Sequence, residues 1–228
     1  CWFCTHGMHN LCAQRRIVGV ACTEYRKNGA MAQYIAVKAR TLYALPPTVS
    51  FEQGCLVEPF AVGMHAVLRS GLAAGQTAAV IGDGTIGLMT LIAARSQGAQ
   101  VCISGHHARP MQLAAQLGAL DCAQLPQLTA ERGADVVYDA VGSQSSFTQA
   151  MELVRKGGRI MVIGNHARTI DFPLQRCITE QIDVQFSYSS AGEYPVCLQA
   201  IAEGRADLTG LWQSFPLAEG AQVFDLLV

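Results

Sequence analysis

The chain has 228 residues, half of them hydrophobic and 14% charged, so it is globular and fits one large domain or two modest ones. A net charge of −1 and an isoelectric point near 6.6 argue against nucleic acid or an anionic membrane as partner, since both need clustered Lys and Arg. No apolar run reaches the roughly 18–20 residues of a membrane span; Ile86–Ala94 comes nearest.

The chain opens on a cysteine cluster, Cys1, Cys4 and Cys12, in C-x2-C-x7-C spacing with Gly7 in the turn. Thiolates separated by two residues can face one tetrahedral Zn²⁺, and a longer loop brings a third. A closed site needs a fourth ligand: His6, His9, or a cysteine ahead of Cys1. A chain that begins inside such a motif is expected to be a piece of a longer protein, and the end at Val228, without a helix-stopping Gly or polar tail, points the same way. Strand-like Met31–Val37 and Arg40–Leu45 then lead to the turn Pro46–Pro47.

Residues 58–190 alternate short apolar strands with longer helical stretches. The strands are Ala78–Ile81, Gln100–Ser104, Asp135–Asp139, Arg159–Ile163 and Val184–Tyr188; the helices are Thr85–Gln97, Arg109–Leu117, Gln144–Val154 and Leu174–Glu180. This alternation predicts an α/β fold, a parallel sheet with helices on both faces. Residues 191–228 add a helix at Tyr194–Glu203, then Leu208–Phe215 and an amphipathic stretch from Ala218.

Between the first strand and its helix, Gly82, Gly84 and Gly87 stand in G-x-G-x-x-G spacing. The first glycine permits a tight turn, the second lets backbone approach a pyrophosphate, and the third lets helix and sheet pack closely. The helix N-terminus then offers free N–H groups and its positive dipole end to the phosphates, which predicts dinucleotide binding. Asp83, inside the loop, is expected to be solvated.

The end of the second strand distinguishes NAD from NADP, because NAD sites place an acid there for the ribose 2′-hydroxyl. Here the position is Gly105, followed by His106, His107 and Arg109. Without the acid a 2′-phosphate meets no repulsion, and Arg109 supplies a charge-assisted hydrogen bond with help from the histidines. NADP(H) is therefore favoured over NAD(H), and Gly105→Asp is expected to shift preference toward NADH.

Six further cysteines, Cys22, Cys55, Cys102, Cys122, Cys177 and Cys197, are scattered among apolar neighbours. They read as buried, reduced, small hydrophobes rather than a disulfide framework, which implies a cytoplasmic setting.

The segments CWFCTHGMHNLC, GAMAQYIAVKARTLYALPP, EPFAVGMHAV, VIGDGTIG, ADVVYDAVG and RKGGRIMVIG fall in order along the chain. Together they resemble the zinc-containing medium-chain alcohol dehydrogenases, in particular the sorbitol, threonine and polyol dehydrogenase branch. The resemblance implies a doubly wound Rossmann domain over 58–190. It makes residues 1–57 the later part of a GroES-like, β-rich catalytic domain with a structural-zinc lobe, and 191–228 a return to that domain. Cys1, Cys4 and Cys12 match the second, third and fourth of four cysteine ligands, the first lying three residues before Cys1. Glu58, in Glu58–Pro59, matches a position that ligates the catalytic zinc or holds its water, and is the candidate catalytic residue. Taken alone, Glu58 is equally a solvated acid favoured at a helix start. Val62, Ile86, Val141 and Ile163 would line the nicotinamide side, although each also suits a core.

The implied activity is zinc-dependent hydride transfer between the CH–OH group of a small alcohol, polyol or sugar derivative and NAD(P)⁺, by a homodimer or homotetramer when full length. Two alternatives have other sequence demands. A zinc-free NADPH quinone or enoyl reductase would lack the cysteine cluster and Glu58. A non-catalytic NADP(H)-binding protein would lack the remaining metal ligands upstream.

Overall fold

In a computed structural model that describes residues 1–20 and 26–226, six strands make one all-parallel sheet. They are β1 (Thr77–Ile81), β2 (Gln100–Ser104), β3 (Leu120–Asp121), β4 (Ala134–Asp139), β5 (Val154–Val162) and β6 (Asp183–Phe186), in the order β3-β2-β1-β4-β5-β6. All five residues of β1 are buried, as expected of a central parallel strand covered on both faces. Chain order reverses between β1 and β4, and such a switch point opens a crevice at the carboxyl ends of the strands.

The helices are α1 (Trp2–Thr5), α2 (Phe51–Cys55), α3 (Val57–Ser70), α4 (Thr85–Ser96), α5 (Ala108–Gln116), α6 (Leu125–Thr129), α7 (Gln144–Leu153), α8 (Leu174–Thr179), α9 (Tyr194–Ala202) and α10 (Gly220–Asp225). One core places Phe60, Met64 and Val67 of α3 with Leu88 and Leu91 of α4, Ala114 of α5 and Leu198 and Ile201 of α9. The opposite face of the sheet buries Leu125 of α6, Phe147 and Met151 of α7 and Cys177 of α8. Helices on both faces make the fold the expected α/β Rossmann type.

The structure departs from the sequence reading at several elements. Helix α3 is not among the predicted elements; it starts with Pro59 in its first turn and stops at Gly71, whose φ of 68° is the left-handed helix end that glycine supplies. The sheet has six strands rather than five, because two-residue β3 pairs with β2 and is too short to leave a periodic signal. Strand β5 begins at Val154, where a helix was predicted, and its register against β4 shifts between Ala134 and Val136. Strand β6 stops at Phe186, before Tyr188.

Met31–Val37 and Arg40–Leu45 are not strands. Ala39–Thr41 is a single 3-10 turn, and Tyr34 is 92% exposed. A strand needs a neighbour to take its backbone N–H and C=O groups, and none lies alongside among the described residues. Of the scattered cysteines, Cys102, Cys122, Cys177 and Cys197 are buried as expected; Cys55 is exposed, and Cys22 lies outside the described residues. No helix among the described residues is long and apolar enough to cross a membrane.

Candidate dinucleotide and metal sites

The three glycines of the loop after β1 serve three different needs. Gly82 has φ 103°, and a side chain there would press on the Val141 Cγ2 at 2.8 Å. Gly84 is exposed and faces open space, as close approach by a phosphate requires. A side chain on Gly87 would fall on the carbonyl oxygen of Gly82, so only glycine lets α4 start this close to the turn. The loop is tied to β2 by the Gly82 N–H, which donates to the Ser104 carbonyl at 2.8 Å.

Across the crevice, the loop after β4 is held by Asp139, a fully buried carboxylate. Its Oδ1 accepts the Val141 and Gly142 N–H groups at 2.9 Å each, and its Oδ2 accepts from Ser146 Oγ at 3.0 Å. Asp139 thereby sets the height of Val141, which is exposed, while Ile86 and Ile163 are half-buried. Sequence reasoning missed this role; an acid ending a strand ahead of a glycine was the available signal.

At the end of β2, Gly105 closes one option. A side chain there would begin on the Asp83 Cβ and carboxylate, so Gly105→Asp alone is expected to disturb the loop rather than create a ribose-binding acid. Asp83 is also not solvated: it is 5% exposed, its Oδ2 accepts the His107 N–H at 2.6 Å and its Oδ1 lies 2.9 Å from His107 Nδ1. Burial pushes its carboxyl up, but the His107 ring and N–H outweigh this and hold it below the usual range. His106 and Arg109 are exposed on the same segment, Arg109 in the first turn of α5.

Glu58 lies exposed in the first turn of α3. A short turn joins the end of α3 to the start of β1, so α3 runs against the strand, as α4 does. The two helices are therefore roughly parallel, and Gly63 lets them touch; a side chain there would stand 2.7 Å from the Thr90 N. Both N-termini consequently emerge at the carboxyl edge of the sheet, which puts Glu58 and the glycine loop on one rim. Burial, with Glu58 and Tyr43 nearby, pushes the Tyr194 hydroxyl up to about 12.

Two turns along α3, half-buried His65 holds Glu193 through Nδ1 at 2.7 Å, and the Ala191 N–H also donates to that carboxylate. Burial raises the Glu193 carboxyl, but these donors bring it below the usual range. This pair was invisible in sequence, its members being 128 residues apart. Asn10 bridges to it from the cysteine segment, with Nδ2 3.5 Å from His65 Nε2 and donating to the Tyr188 carbonyl at 2.7 Å.

The cysteine sulfurs converge. Cys1 Sγ lies 3.7 Å from Cys4 Sγ and 3.9 Å from Cys12 Sγ. Zn–S bonds of about 2.3 Å in tetrahedral geometry separate sulfurs by about 3.8 Å, so the three occupy three corners of such a site. His6 does not supply the fourth: its Nδ1 is 2.8 Å from the Trp2 carbonyl and its ring stacks on Trp2. Nor does His9, for among the described residues no fourth Cys, His, Asp or Glu atom joins the group. Glu58 likewise belongs to no cluster of three such groups among those residues.

Asp83, Asp135 and Glu193 share a consequence for acid stability. Asp135, held down by the Thr77 N–H and Arg155 against its burial, is likewise below the usual range, as are the exposed Glu52, Glu203 and Asp207. Groups whose folded pKa is depressed stabilise the fold above the unfolded value, near 4, and lose that contribution as pH falls through the folded value. The thermal midpoint should therefore drop steeply below about pH 4. Asp135→Asn should be less stable at neutral pH and show a shallower acid limb in calorimetry.

Comparison with known proteins gives a consistent picture. Residues 85–203, just over half the chain, match the family described as zinc-binding dehydrogenase. The chain is 32% identical over 221 residues to an uncharacterized zinc-type alcohol dehydrogenase-like protein of Escherichia coli, covering 92% of this chain and 62% of that protein. It is 28% identical over 218 residues to the sorbitol dehydrogenase of Bacillus subtilis, covering 91% and 61%. The chain thus spans about three fifths of the length of these relatives. Among solved structures, an alcohol dehydrogenase from Thermus sp. ATN1 superposes with TM-score 0.91 at 25% identity, over 100% of this chain and 70% of that one. A zinc-binding dehydrogenase from Sinorhizobium meliloti bound to NADP superposes at 0.78 and 25% identity, over 91% and 63%. Sequence, fold and the family match agree, and the chain belongs to the zinc-binding dehydrogenase family.

Proposed function

We propose that this chain is the nucleotide-binding part of a zinc-dependent oxidoreductase that moves hydride between the CH–OH group of a small alcohol, polyol or sugar derivative and NAD(P)⁺. The observation that carries the reading is the shared rim: Glu58 and the glycine loop emerge at the same carboxyl edge of the sheet, beside the switch-point crevice. A bound zinc would supply Lewis-acid chemistry at the alcohol oxygen, and a bound nicotinamide would supply the hydride acceptor or donor. Glu58 would hold the catalytic metal or its water, and Cys1, Cys4 and Cys12 a structural one. Val62, Ile86, Val141 and Ile163 would shape the nicotinamide side. Gly82, Gly84 and Gly87 would seat the pyrophosphate against the first turn of α4.

Residues 1–57 are proposed to belong to a GroES-like catalytic domain, 58–190 to the Rossmann domain, and 191–228 to a return segment; the coverage of the relatives supports a longer whole. A homodimer or homotetramer is supported by the edge strand β6, whose Phe186 is exposed, as are Leu174 and Ile178 of α8. Four buried free thiols support a cytoplasmic setting. The near-neutral charge favours a small-molecule substrate over nucleic acid or membrane.

Metal analysis of the whole protein tests the assignment. Two zincs per subunit are expected; Cys4→Ser should remove one, and Glu58→Ala should lower activity strongly while the cysteine-bound zinc stays. Active protein without zinc would move the assignment to the zinc-free reductases.

NADP(H) is the proposed cofactor, supported by the absent side chain at Gly105 and the exposed Arg109 and His106 beside it. Fluorescence titration should show NADPH bound about tenfold more tightly than NADH, and Arg109→Ala should erase most of the difference. A tenfold preference for NADH would overturn it.

A further inference from the structure

We infer that Asp83 and His107 act together as a specificity device for the 2′ position of the adenosine ribose, Asp83 as the positioning residue and His107 as the group that meets a 2′-phosphate. The inference rests on the NADP(H) reading above and deepens it.

The end of β2 is where Rossmann folds read the ribose, normally with a carboxylate on the strand itself. This chain has a carboxylate in that space, but it comes from the glycine loop. A side chain on Gly105 would begin where the Asp83 carboxylate lies. An acid so placed would ordinarily read the 2′-hydroxyl and repel a phosphate. Asp83 is committed elsewhere. It is 5% exposed, one oxygen accepts the His107 backbone N–H and the other faces His107 Nδ1. Its charge is directed at the histidine.

The consequence falls on the imidazole. With Nδ1 against the carboxylate, the ring is fixed in orientation while its side chain stays 74% exposed, leaving Nε2 on the solvent side. With Nδ1 engaged by the carboxylate, Nε2 is the ring atom left to share a proton with an oxygen of a bound phosphate. An anion arriving in front then meets a ring already oriented toward it, and a proton held between Nε2 and a phosphate oxygen makes a charge-assisted hydrogen bond. Arg109 stands two residues on, in the first turn of α5, and is exposed on the same segment. A ribose 2′-phosphate presents the several oxygens that a guanidinium and the imidazole Nε2 would share. Asp83 thus takes the space of a ribose acid while its two contacts to His107 turn that ring toward the opposite cofactor.

The test measures Kd by calorimetry for NADPH, NADH, 2′-AMP and 5′-AMP, on the full 228-residue chain and its Asp83→Asn and His107→Ala variants. Each variant should bind NADPH and 2′-AMP about tenfold more weakly, with NADH and 5′-AMP within twofold of the parent. The His107 Cε1–H resonance of the parent should move on adding 2′-AMP and stay still on adding 5′-AMP. If the parent favours NADPH while His107→Ala binds all four ligands as the parent does, the inference is wrong and the NADP(H) reading survives on Arg109. If the parent favours NADH, that reading fails and this inference with it. Equal loss of NADPH and NADH in both variants means the pair only holds the loop, which also overturns the proposal. Should Asp83→Asn fail to fold, His107→Ala decides, since its side chain is mostly exposed.

Discussion

A Gly87→Ala protein is expected to bind NADPH and NADH about a hundredfold more weakly than the parent chain, with no change in the preference between them. The added methyl falls on the carbonyl oxygen of Gly82, a backbone atom inside the turn that we propose cradles the pyrophosphate. A flexible side chain in the way could swing aside, but this turn cannot. Gly82 is fixed by its φ of 103° and by the bond from its N–H to Ser104, so the start of α4 must retreat instead. The first-turn N–H groups proposed to face the phosphates retreat with it. Damage at a pyrophosphate site would weaken both nucleotides equally. Gly84→Ala makes the comparison sharp: that position faces open space, so the fold should tolerate the methyl, and any loss of binding would come from crowding the ligand alone. Parent-like binding by Gly87→Ala, measured by fluorescence titration, would mean the dinucleotide does not sit on this loop.

The second large effect concerns turnover. The 228 residues purified alone are expected to bind nucleotide and to oxidise no alcohol. A catalytic zinc takes about three protein ligands and keeps one position open. Glu58 is one carboxylate, and the convergent ligand group among the described residues is the cysteine cluster. His65 lies two turns along the same helix, but its Nδ1 is committed to Glu193 and its Nε2 faces Asn10. Supplying these 228 residues with zinc and a panel of polyols should therefore give no reduced nicotinamide above background. Turnover that chelator abolishes and Glu58→Ala removes would show that His65, His6 or His9 supplies the missing ligands. In the whole protein the same Glu58→Ala change should reduce activity by about two orders of magnitude or more, as loss of a metal-holding group does.

Much of the architecture was legible because its signals are local. A short apolar run, a glycine turn and a helical stretch are neighbours in sequence, so β1, β2 and β4, the loop Gly82–Gly87 and helices α4, α7, α8 and α9 lie where the pattern placed them, with ends differing by a few residues. The C-x2-C-x7-C spacing is local in the same sense, and its three sulfurs do converge. Other features were decided by partners that lie far away along the chain. Met31–Val37 carries a strand-like pattern but has no strand beside it among the described residues, and a strand's backbone groups need a partner. Leu120–Asp121 has almost no pattern and is nonetheless a strand, because β2 offers it an edge. Asp83 reads as a solvated acid, since nothing in the loop shows that His107, 24 residues on, will bring two donors to it. Glu193 finds His65 across 128 residues for the same reason. The sequence by itself determined a parallel α/β sheet with a glycine loop after its first strand and a cysteine cluster, because periodicity and turn chemistry act over a few residues. Only the tertiary structure decided that Gly105 must stay bare, that Asp83 is buried and faces a histidine, and that Glu58 shares a rim with the glycine loop. Those facts depend on strand order and helix crossing, which bring distant segments within hydrogen-bond reach.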